Sequence, residues 1–304
     1  MTSSPDTRSD TRYDYITVGH VTRDVIEDRA DGPVTQPGGG AFYSALQAAR
    51  LGLRTLIVTR GVPREIDELL EPFRGELDLH AIPAKHTTTL STRGHGAQRS
   101  QRLLAWAGPI VRPLMLNAGI LHLASVARET PLAWQGRADF VGLTPQGLAR
   151  CWEQDEGASP ARRTGDISPV ELDHSALPPR FDAAVISEHE RESCHALFAR
   201  ARRCGAYVAV TAGSRPATVH LPDPADGSVV QTGPPHKVEP RDDLGAGDVF
   251  ATGFFVALSE DRSPLEAATF GNAAAAARIA GVGAGAIASR VQIEAIARAL
   301  RITP

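Results

Sequence analysis

The sequence predicts an α/β fold: a doubly wound, mostly parallel sheet flanked by helices, with a small β-lid beside it. Short, nearly continuous apolar runs recur along the chain, which is typical of parallel strands covered by helices on both faces. Helical runs with one apolar face alternate with these strands. Two stretches, 25–36 and 86–110, break the alternation because they are richer in polar and β-branched residues, and we assign them to the lid.

The predicted elements follow one another in a regular order. Strands of the main sheet are expected at 13–19, 55–60, 120–125, 140–144, 182–187 and 207–211. Helices are expected at 41–51, at 249–259, over an alanine-rich run that ends at 280, and at the C-terminus. The last two helices each begin with a capping pattern, Ser263 with Glu266 and Ser289 with Gln292.

The remaining segments are interpreted from their turn and loop residues. Within 86–110 the sequence predicts a hairpin with its turn at 94–98. The stretch 152–179 is rich in charge and proline, and we expect it to be mostly loop. The polar start, 1–12, is expected to be a disordered tail, which leaves 13–304 as one domain with the lid inserted in it.

Composition and charge argue against several classes of protein. The 32 basic residues are outnumbered by 35 acidic ones, so no nucleic-acid partner is expected. No apolar run is long enough to span a membrane, and the first residues lack the apolar centre of a signal peptide. The three cysteines form no CxxC pair, which favours reduced thiols in a cytoplasmic protein.

The clearest chemical signal is the segment 242–248, Asp-Asp-Leu-Gly-Ala-Gly-Asp, which directly precedes an apolar helical run. Gly245, Ala246 and Gly247 are small enough to let the backbone approach an anion. Their N–H groups lie at a helix N-terminus, where free donors and the helix dipole favour negative charge. Asp248 follows at once, so a carboxylate is placed to accept a proton from a hydroxyl that attacks a bound phosphoryl group.

This segment resembles the DTxGAGD signature of the ribokinase-like, or PfkB, family of carbohydrate kinases. Asp242 matches the first aspartate and 245–248 match GAGD, while Asp243 replaces the usual threonine. The resemblance extends over nearly the whole chain. It implies a ribokinase-like fold, ATP and Mg²⁺ as cofactors, a general base at Asp248, an anion hole at Gly245–Gly247 and a role for Asp242 in substrate binding.

The resemblance continues in the N-terminal part of the chain. Asp24 matches the family position that binds substrate hydroxyls, as a carboxylate can accept two such hydrogen bonds. Gly38 and Gly39 match the glycines of a second signature, GGxxxN, and would let substrate approach the backbone. Tyr43 stands where the family has a sugar-binding asparagine, so an aromatic face replaces an amide. We therefore expect a cyclic polyol or a nucleoside as acceptor instead of ribose or fructose.

Four more positions carry over from the family. Glu190 matches the glutamate of an NxxE motif that helps to hold magnesium through water, although Ser187 replaces the asparagine. Thr211 and Gly213 match a turn near the nucleotide phosphates and ribose. Asn272 matches a residue beside the adenine pocket, and a homodimer through the β-lid is possible on the family pattern.

Other plans for the site are less consistent with the sequence. There is no GxxxxGK[ST] loop and no HRD or DFG set, and the early glycines lack the GxGxxG spacing of a nicotinamide-dependent oxidoreductase. The main alternative is a weak or inactive nucleotide- or sugar-binding regulatory protein on the kinase fold, which the replacements at Tyr43, Ser187 and Asp243 would favour. The intact GAGD segment favours the enzyme.

Overall fold

The computed structural model describes residues 11–111, 114–152, 164–222, 228–233 and 235–302. Almost all of the predicted N-terminal tail lies outside these residues, as does 153–163 of the predicted loop. In the described part, no helix is both long enough and apolar enough to cross a membrane.

The strands and helices alternate over most of the chain. The strands are β1 (Tyr13–Val18), β2 (Thr22–Ile26), β3 (Val34–Gly38), β4 (Thr55–Gly61), β5 (Asp78–Pro83), β6 (Thr89–Arg93), β7 (Ser100–Ala105), β8 (Ala118–Ala124), β9 (Ala138–Thr144), β10 (Arg150–Trp152), β11 (Gly165–Pro169), β12 (Ala183–Ser187), β13 (Tyr207–Ala212), β14 (Arg215–His220) and β15 (Val229–Gln231). The helices are α1 (Gly40–Arg50), α2 (Pro63–Leu70), α3 (His195–Cys204), α4 (Ala246–Ser259), α5 (Pro264–Ile279) and α6 (Arg290–Ile302).

The main sheet has nine strands in the order β15-β14-β13-β12-β9-β8-β1-β4-β5. The strands from β13 to β5 run parallel, and β14 and β15 are antiparallel additions at one edge. Successive residues of β1 enter different cores: Tyr15 joins the cluster that includes α1, α4, α5 and α6, whereas Ile16 joins the cluster that includes α3. Helices therefore cover both faces, and the predicted doubly wound architecture is confirmed.

The lid is a second sheet, with six strands in the order β10-β11-β7-β6-β2-β3. The hairpin predicted within 86–110 is present as β6 and β7. The interpretation of 152–179 as mostly loop holds for 170–179, but it missed two short strands: Trp152 pairs with Ile167, and Gly165 pairs with Leu103 of β7. The strands were missed because they are short and because proline and charge dominate the segment, while pairing with β7 supplies the order that local propensity does not.

The sequence also left out several peripheral elements. α2, α3, β5, β14 and β15 were not predicted, and each lies at an edge or on the outer side of the main sheet. β5 and β14 contain proline and are only partly buried, so their apolar alternation is weak. Cys151, Cys194 and Cys204 are free thiols, as the cysteine spacing predicted.

Candidate active site

A cavity opens where the carboxyl ends of the parallel strands meet the lid. Thr144, Ser187 and Thr211 line it from the ends of β9, β12 and β13. The segment from Asp243 to Asp248 lines it from the start of α4, and the lid contributes further walls. This is the position in which open α/β sheets bind ligands, because the loops and helix N-termini at this edge converge.

The segment 245–248 forms the N-terminus of α4 at the floor of the cavity. Gly245 is the N-cap residue and has φ 74°, a left-handed conformation that favours glycine. A Cβ added at Gly247 would meet nothing within 4 Å, so the backbone there is open. The first-turn N–H groups of a helix have no intrahelical partner, and they are available to an anion in the cavity. This geometry fits the anion hole expected from the sequence.

Asp242 holds this loop from behind. Its carboxylate accepts hydrogen bonds from Arg278 Nη2 at 3.1 Å, Gly283 N at 2.9 Å and Leu244 N at 3.1 Å. Arg278 is fully buried and donates a further bond to the Asp242 carbonyl. Asp242 is not among the residues that line the cavity. These hydrogen bonds hold the backbone of the loop in place, and the role of Asp242 in substrate binding stays a prediction.

Tyr43 lies beneath the same loop, on α1. Its side chain is 2% exposed, and its ring lies so close to Gly245 that a Cβ there would overlap the ring. The Arg278 guanidinium lies 5.5 Å from the ring centroid. Tyr43 also lines the cavity, and its hydroxyl is buried, with the Arg278 guanidinium as an interacting neighbour. Tyr43 thus supports the loop and forms part of the cavity wall.

Asp248 occupies the first turn of α4 with its carboxylate beside the N-terminus of α1. A Cβ added at Gly40 would lie 3.0 Å from Asp248 Oδ1, so the glycine leaves room for the carboxylate. Burial raises the pKa of Asp248 to about 7, and the negative charges of Glu190 and Asp24 add to the increase while Arg150 opposes it. A carboxylate with a pKa near neutrality is suited to general base catalysis.

Asp24 faces the same cavity from β2 of the lid. It is 4% exposed, and Thr22 Oγ1 donates a hydrogen bond to its Oδ1 at 2.6 Å. A Cβ at Gly38 would overlap the carboxylate, and Gly39 has φ 89°, so the two glycines admit Asp24 and turn the chain into α1. Burial raises the pKa of Asp24 to about 6, although Thr22 and the cations Arg150 and Arg99 oppose the increase.

The hairpin of the lid is fastened through Asp243 to the segment 242–248, which we call the anion loop after the role expected for it. The Asp243 carboxylate pairs with Arg99 and accepts a hydrogen bond from Gly96 N at 2.9 Å. Both lid residues lie in or beside the turn between β6 and β7. Sequence reasoning treated Asp243 as a mild departure from the family signature without chemical importance. The only signal available was an acidic residue at a threonine position and an arginine 144 positions away.

Arg150 is a cavity residue that the sequence analysis missed altogether. It begins β10, donates from Nη2 to Gln101 Oε1 at 3.0 Å and from Nη1 to the Val126 carbonyl at 3.3 Å. Burial lowers the pKa of Arg150 below the ordinary value, and the nearby carboxylates of Glu190 and Asp248 oppose that decrease. It was missed because it lies just ahead of a segment interpreted as loop and matches no motif of the family.

Glu190 closes a 3₁₀ turn, Glu188–Glu190, that follows β12. Its Oε2 accepts hydrogen bonds from Ser187 N at 2.8 Å and Ser187 Oγ at 2.9 Å. Ser187, the replacement for asparagine, thus orients the carboxylate. The described residues contain no group of three or more acidic, histidine or cysteine side chains that could hold a metal by itself. One carboxylate in a cavity that includes a helix N-terminus nevertheless fits Mg²⁺, which is commonly held by one or two carboxylates, water and substrate phosphates.

The three residues expected to bind nucleotide are dispersed. Thr211 lines the cavity, and its Oγ1 donates to the Ile186 carbonyl at 3.4 Å. Gly213 lies in the turn between β13 and β14 with φ 62° and is exposed. Asn272 is buried on α5 and donates from Nδ2 to Thr232 Oγ1 at 3.1 Å, and it is not among the residues that line the cavity.

The sequence and the fold were compared with known proteins. The sequence model of the pfkB family carbohydrate kinases matches residues 175–290, which include Glu190 and the whole of the 242–248 segment. The structure has the ribokinase fold. The family resemblance that the sequence predicted is thereby confirmed. No curated protein is significantly similar in sequence to this chain.

Solved structures with the ribokinase fold superpose over nearly the entire chain. Ribokinase from Arabidopsis thaliana, complexed with ribose and ATP, is 18% identical with a TM-score of 0.66, over 95% of this chain and 99% of that chain. A pyrophosphate-dependent kinase complexed with a pyrophosphate analogue and myo-inositol is 18% identical with a TM-score of 0.69, over 93% and 100%. The nucleoside kinase from Methanocaldococcus jannaschii is 17% identical with a TM-score of 0.67, over 94% and 98%. At these identities the likeness establishes the fold.

Proposed function

We propose that this protein is a small-molecule kinase that transfers the terminal phosphoryl group of ATP to a hydroxyl of a sugar-like acceptor. The observation that carries the proposal is that two carboxylates, Asp24 and Asp248, line the same cavity. Asp248 lies in the first turn of α4. One carboxylate suits the binding of a polyol, and the other lies in the first turn of a helix whose free N–H groups can bind a phosphate.

In the reaction we propose, the attacking hydroxyl lies between the two carboxylates. Asp24 accepts a hydrogen bond from a neighbouring hydroxyl of the acceptor and fixes its orientation. The acceptor oxygen bonds to the terminal phosphorus as the bond from that phosphorus to the bridging oxygen breaks. Asp248 takes the hydroxyl proton, and the leaving diphosphate keeps the electron pair. The N–H groups of the 245–248 turn stabilise the negative charge of the phosphoryl oxygens.

A magnesium ion would be held by Glu190, in part through water, together with the phosphates of the donor. Its contribution would be the neutralisation of phosphate charge. Ser187 keeps the Glu190 carboxylate in one orientation, which reduces the freedom lost when the ion binds. Thr211 lines the same end of the cavity and is available to the donor.

The acceptor we favour is a ring-shaped polyol such as an inositol, with a nucleoside as the alternative. Tyr43 supplies a flat aromatic ring and a single phenol hydroxyl where the family has an amide, and the residue lines the cavity. A phenol can pack on the apolar face of a ring and donate one hydrogen bond, whereas an amide would offer both donor and acceptor groups. The pyrophosphate-dependent structure of similar fold was solved with myo-inositol, which agrees with this acceptor class.

A second phosphoryl donor, inorganic pyrophosphate, is favoured by the position of Asn272. Its amide nitrogen is engaged by Thr232, and the residue does not line the cavity in which Asp248 lies. An adenine bound in this cavity would therefore not meet the Asn272 amide. Two arginines, Arg99 and Arg150, line the phosphate end instead and suit a donor that is all phosphate.

The test is a donor and acceptor panel with wild-type protein and Asp248→Asn. Donors are ATP and pyrophosphate with and without Mg²⁺, and acceptors are myo-inositol, other cyclic polyols, nucleosides, ribose and fructose. We expect Mg²⁺-dependent product formation that Asp248→Asn reduces by about 10²–10⁴. Ligand binding without turnover by any pair would support the alternative, a regulatory protein that binds nucleotide or sugar. Full activity in excess chelator would exclude the role given to magnesium.

A further inference from the structure

Three arginines lie near the anion loop, and Arg150 differs from the other two in its charge balance. Arg278 pairs with Asp242, and Arg99 pairs with Asp243. Among the ion pairs of the described residues, none includes Arg150. Arg150 is half-buried, and the carboxylates that act on it, those of Glu190, Asp248 and Glu129, form no ion pair with it. A half-buried guanidinium without a paired carboxylate at a cavity wall favours an anionic ligand.

The hydrogen bonds of Arg150 leave most of its donors unassigned. One bond goes to the Gln101 amide oxygen and one to the Val126 carbonyl, and both acceptors are neutral. A guanidinium has five N–H donors in a planar fork, so these two bonds fix the group while three donors remain. The fork matches the oxygens of a phosphate group, which can accept two parallel bonds from it.

The neighbours of Arg150 indicate which phosphate it would meet. Arg150, Glu190 and Asp248 line the same cavity, and the charges of the two carboxylates act on the guanidinium. Glu190 is the proposed ligand of the ion that accompanies the donor, and Asp248 is the proposed base for the attacking hydroxyl. The phosphoryl group that passes from donor to acceptor must therefore lie between Glu190 and Asp248. Arg150 lines the same part of the cavity wall as these two residues.

We propose that Arg150 is a catalytic residue that donates hydrogen bonds to the nonbridging oxygens of the transferring phosphoryl group. This inference rests on the proposed kinase function and adds a contact that the GAGD loop does not make. The bond from the acceptor oxygen to phosphorus forms, the bond to the leaving oxygen breaks, and the hydroxyl proton goes to Asp248. Arg150 keeps its own proton throughout and offsets negative charge on the oxygens of the phosphoryl group.

The test compares Arg150→Gln, Arg150→Lys and Arg150→Ala with a matched control, Arg200→Gln. Arg200 also donates to two neutral backbone oxygens, those of Pro179 and His174, but it is not a cavity residue. Thermal unfolding establishes that each variant is folded. Steady-state rates are then measured with the best donor and acceptor, and calorimetry measures binding of tripolyphosphate and pyrophosphate without turnover.

We expect Arg150→Gln to lower kcat by about 10²–10³ with little change in the KM of the acceptor. Arg150→Lys should recover part of the rate, guanidinium ion should partly rescue Arg150→Ala, and Arg200→Gln should behave as wild type. A kcat within a few fold of wild type, or a loss confined to the acceptor KM, would overturn the assignment. If wild-type protein shows no turnover at all, the proposed function fails, and unchanged tripolyphosphate binding by Arg150→Gln would then refute the role of Arg150 separately.

Discussion

The ring of Tyr43 lies directly against the α-carbon of Gly245, so that the position of a side chain at 245 is already occupied by the ring. The two residues are far apart in sequence, and the contact links the start of α1 to the start of α4. Arg278 lies against the ring as well and ties it to Asp242. The anion loop therefore packs against the Tyr43 ring, and we expect its conformation to depend on that contact.

Gly245→Ala is expected to damage the site for two separable reasons. The left-handed conformation at φ 74° costs an alanine about 1–2 kcal/mol, and the new Cβ must also displace the Tyr43 ring. Gly205→Ala is the matched control, since Gly205 has φ 68° but a Cβ added there would meet nothing within 4 Å. Thermal unfolding should show a larger loss for Gly245→Ala, and only that variant should lose activity. Equal losses of stability in the two variants would mean that displacing the Tyr43 ring does not change the free energy of unfolding.

The pH dependence of the wild-type enzyme should report the titration of Asp248. The carboxylate must be deprotonated to accept a proton, and its pKa is raised to about 7. Activity should therefore fall by roughly tenfold per pH unit below neutrality and level off above it. The charged groups that act on Asp248 are Arg150, Glu190, Asp24 and Arg99. A kcat/KM that stays flat from pH 5 to pH 8, with the fold intact, would contradict Asp248 as the base.

The same raised pKa makes a prediction about stability. A carboxyl group whose folded pKa of about 7 lies above its ordinary 3.8 binds its proton more tightly in the folded state, so folding is weakened as the pH rises between these values. Asp248→Asn removes this effect and should raise the melting temperature at pH 8 while leaving it nearly unchanged at pH 4. The full difference in pKa corresponds to about 4 kcal/mol as an upper limit. A lower melting temperature for Asp248→Asn at pH 8 would show that the carboxylate is favourably paired instead.

The candidate base and the turn before it were easier to predict from the sequence than the residues around them. The position of Asp248 follows from a short local pattern, small residues before an apolar helix, and helix N-terminal geometry then determines where the carboxylate lies. The parallel strands could also be predicted, because a strand that is buried on both faces has a continuous apolar sequence, as in β1. In both cases the information lies within a few neighbouring residues.

The contacts that complete the site are of a different kind. Arg99 and Asp243 meet across 144 positions, and nothing in either local sequence signals the other. β10 has three residues and is ordered by pairing with β11, so the position of Arg150 depends on the lid sheet. The family signature predicts a role for Asp242 in substrate binding, whereas nothing in the local sequence signals its buried pair with Arg278. Contacts between residues far apart in the sequence determine where these side chains lie, and no local sequence pattern predicts such contacts.

Asp24→Asn is expected to affect the acceptor and not the donor. The neutral amide removes the charge that strengthens hydrogen bonds to acceptor hydroxyls, each worth about 1.5–3 kcal/mol, or roughly 10- to 100-fold in KM. The KM of the donor serves as the internal control, because Asp24 approaches the cavity from the lid, on β2. Product formation is measured over a matrix of both substrate concentrations. A rise in the donor KM with an unchanged acceptor KM would place Asp24 in the other half of the site.

Asp243→Asn tests whether the lid must be fastened to the anion loop for acceptor to be retained. The substitution keeps one oxygen that can accept from Gly96 N but abolishes the ion pair with Arg99. A partly exposed pair of this kind contributes about 0.2–1 kcal/mol, so we expect the acceptor KM to rise by several fold and amide exchange to quicken across the β6–β7 turn. Asp28→Asn is the matched control, because Asp28 accepts from Gly94 N of the same hairpin at 2.8 Å and lies on the lid, not on the anion loop. Equal effects of the two substitutions would mean that hairpin order alone matters, whereas an effect restricted to Asp243→Asn identifies the link between lid and loop as the cause.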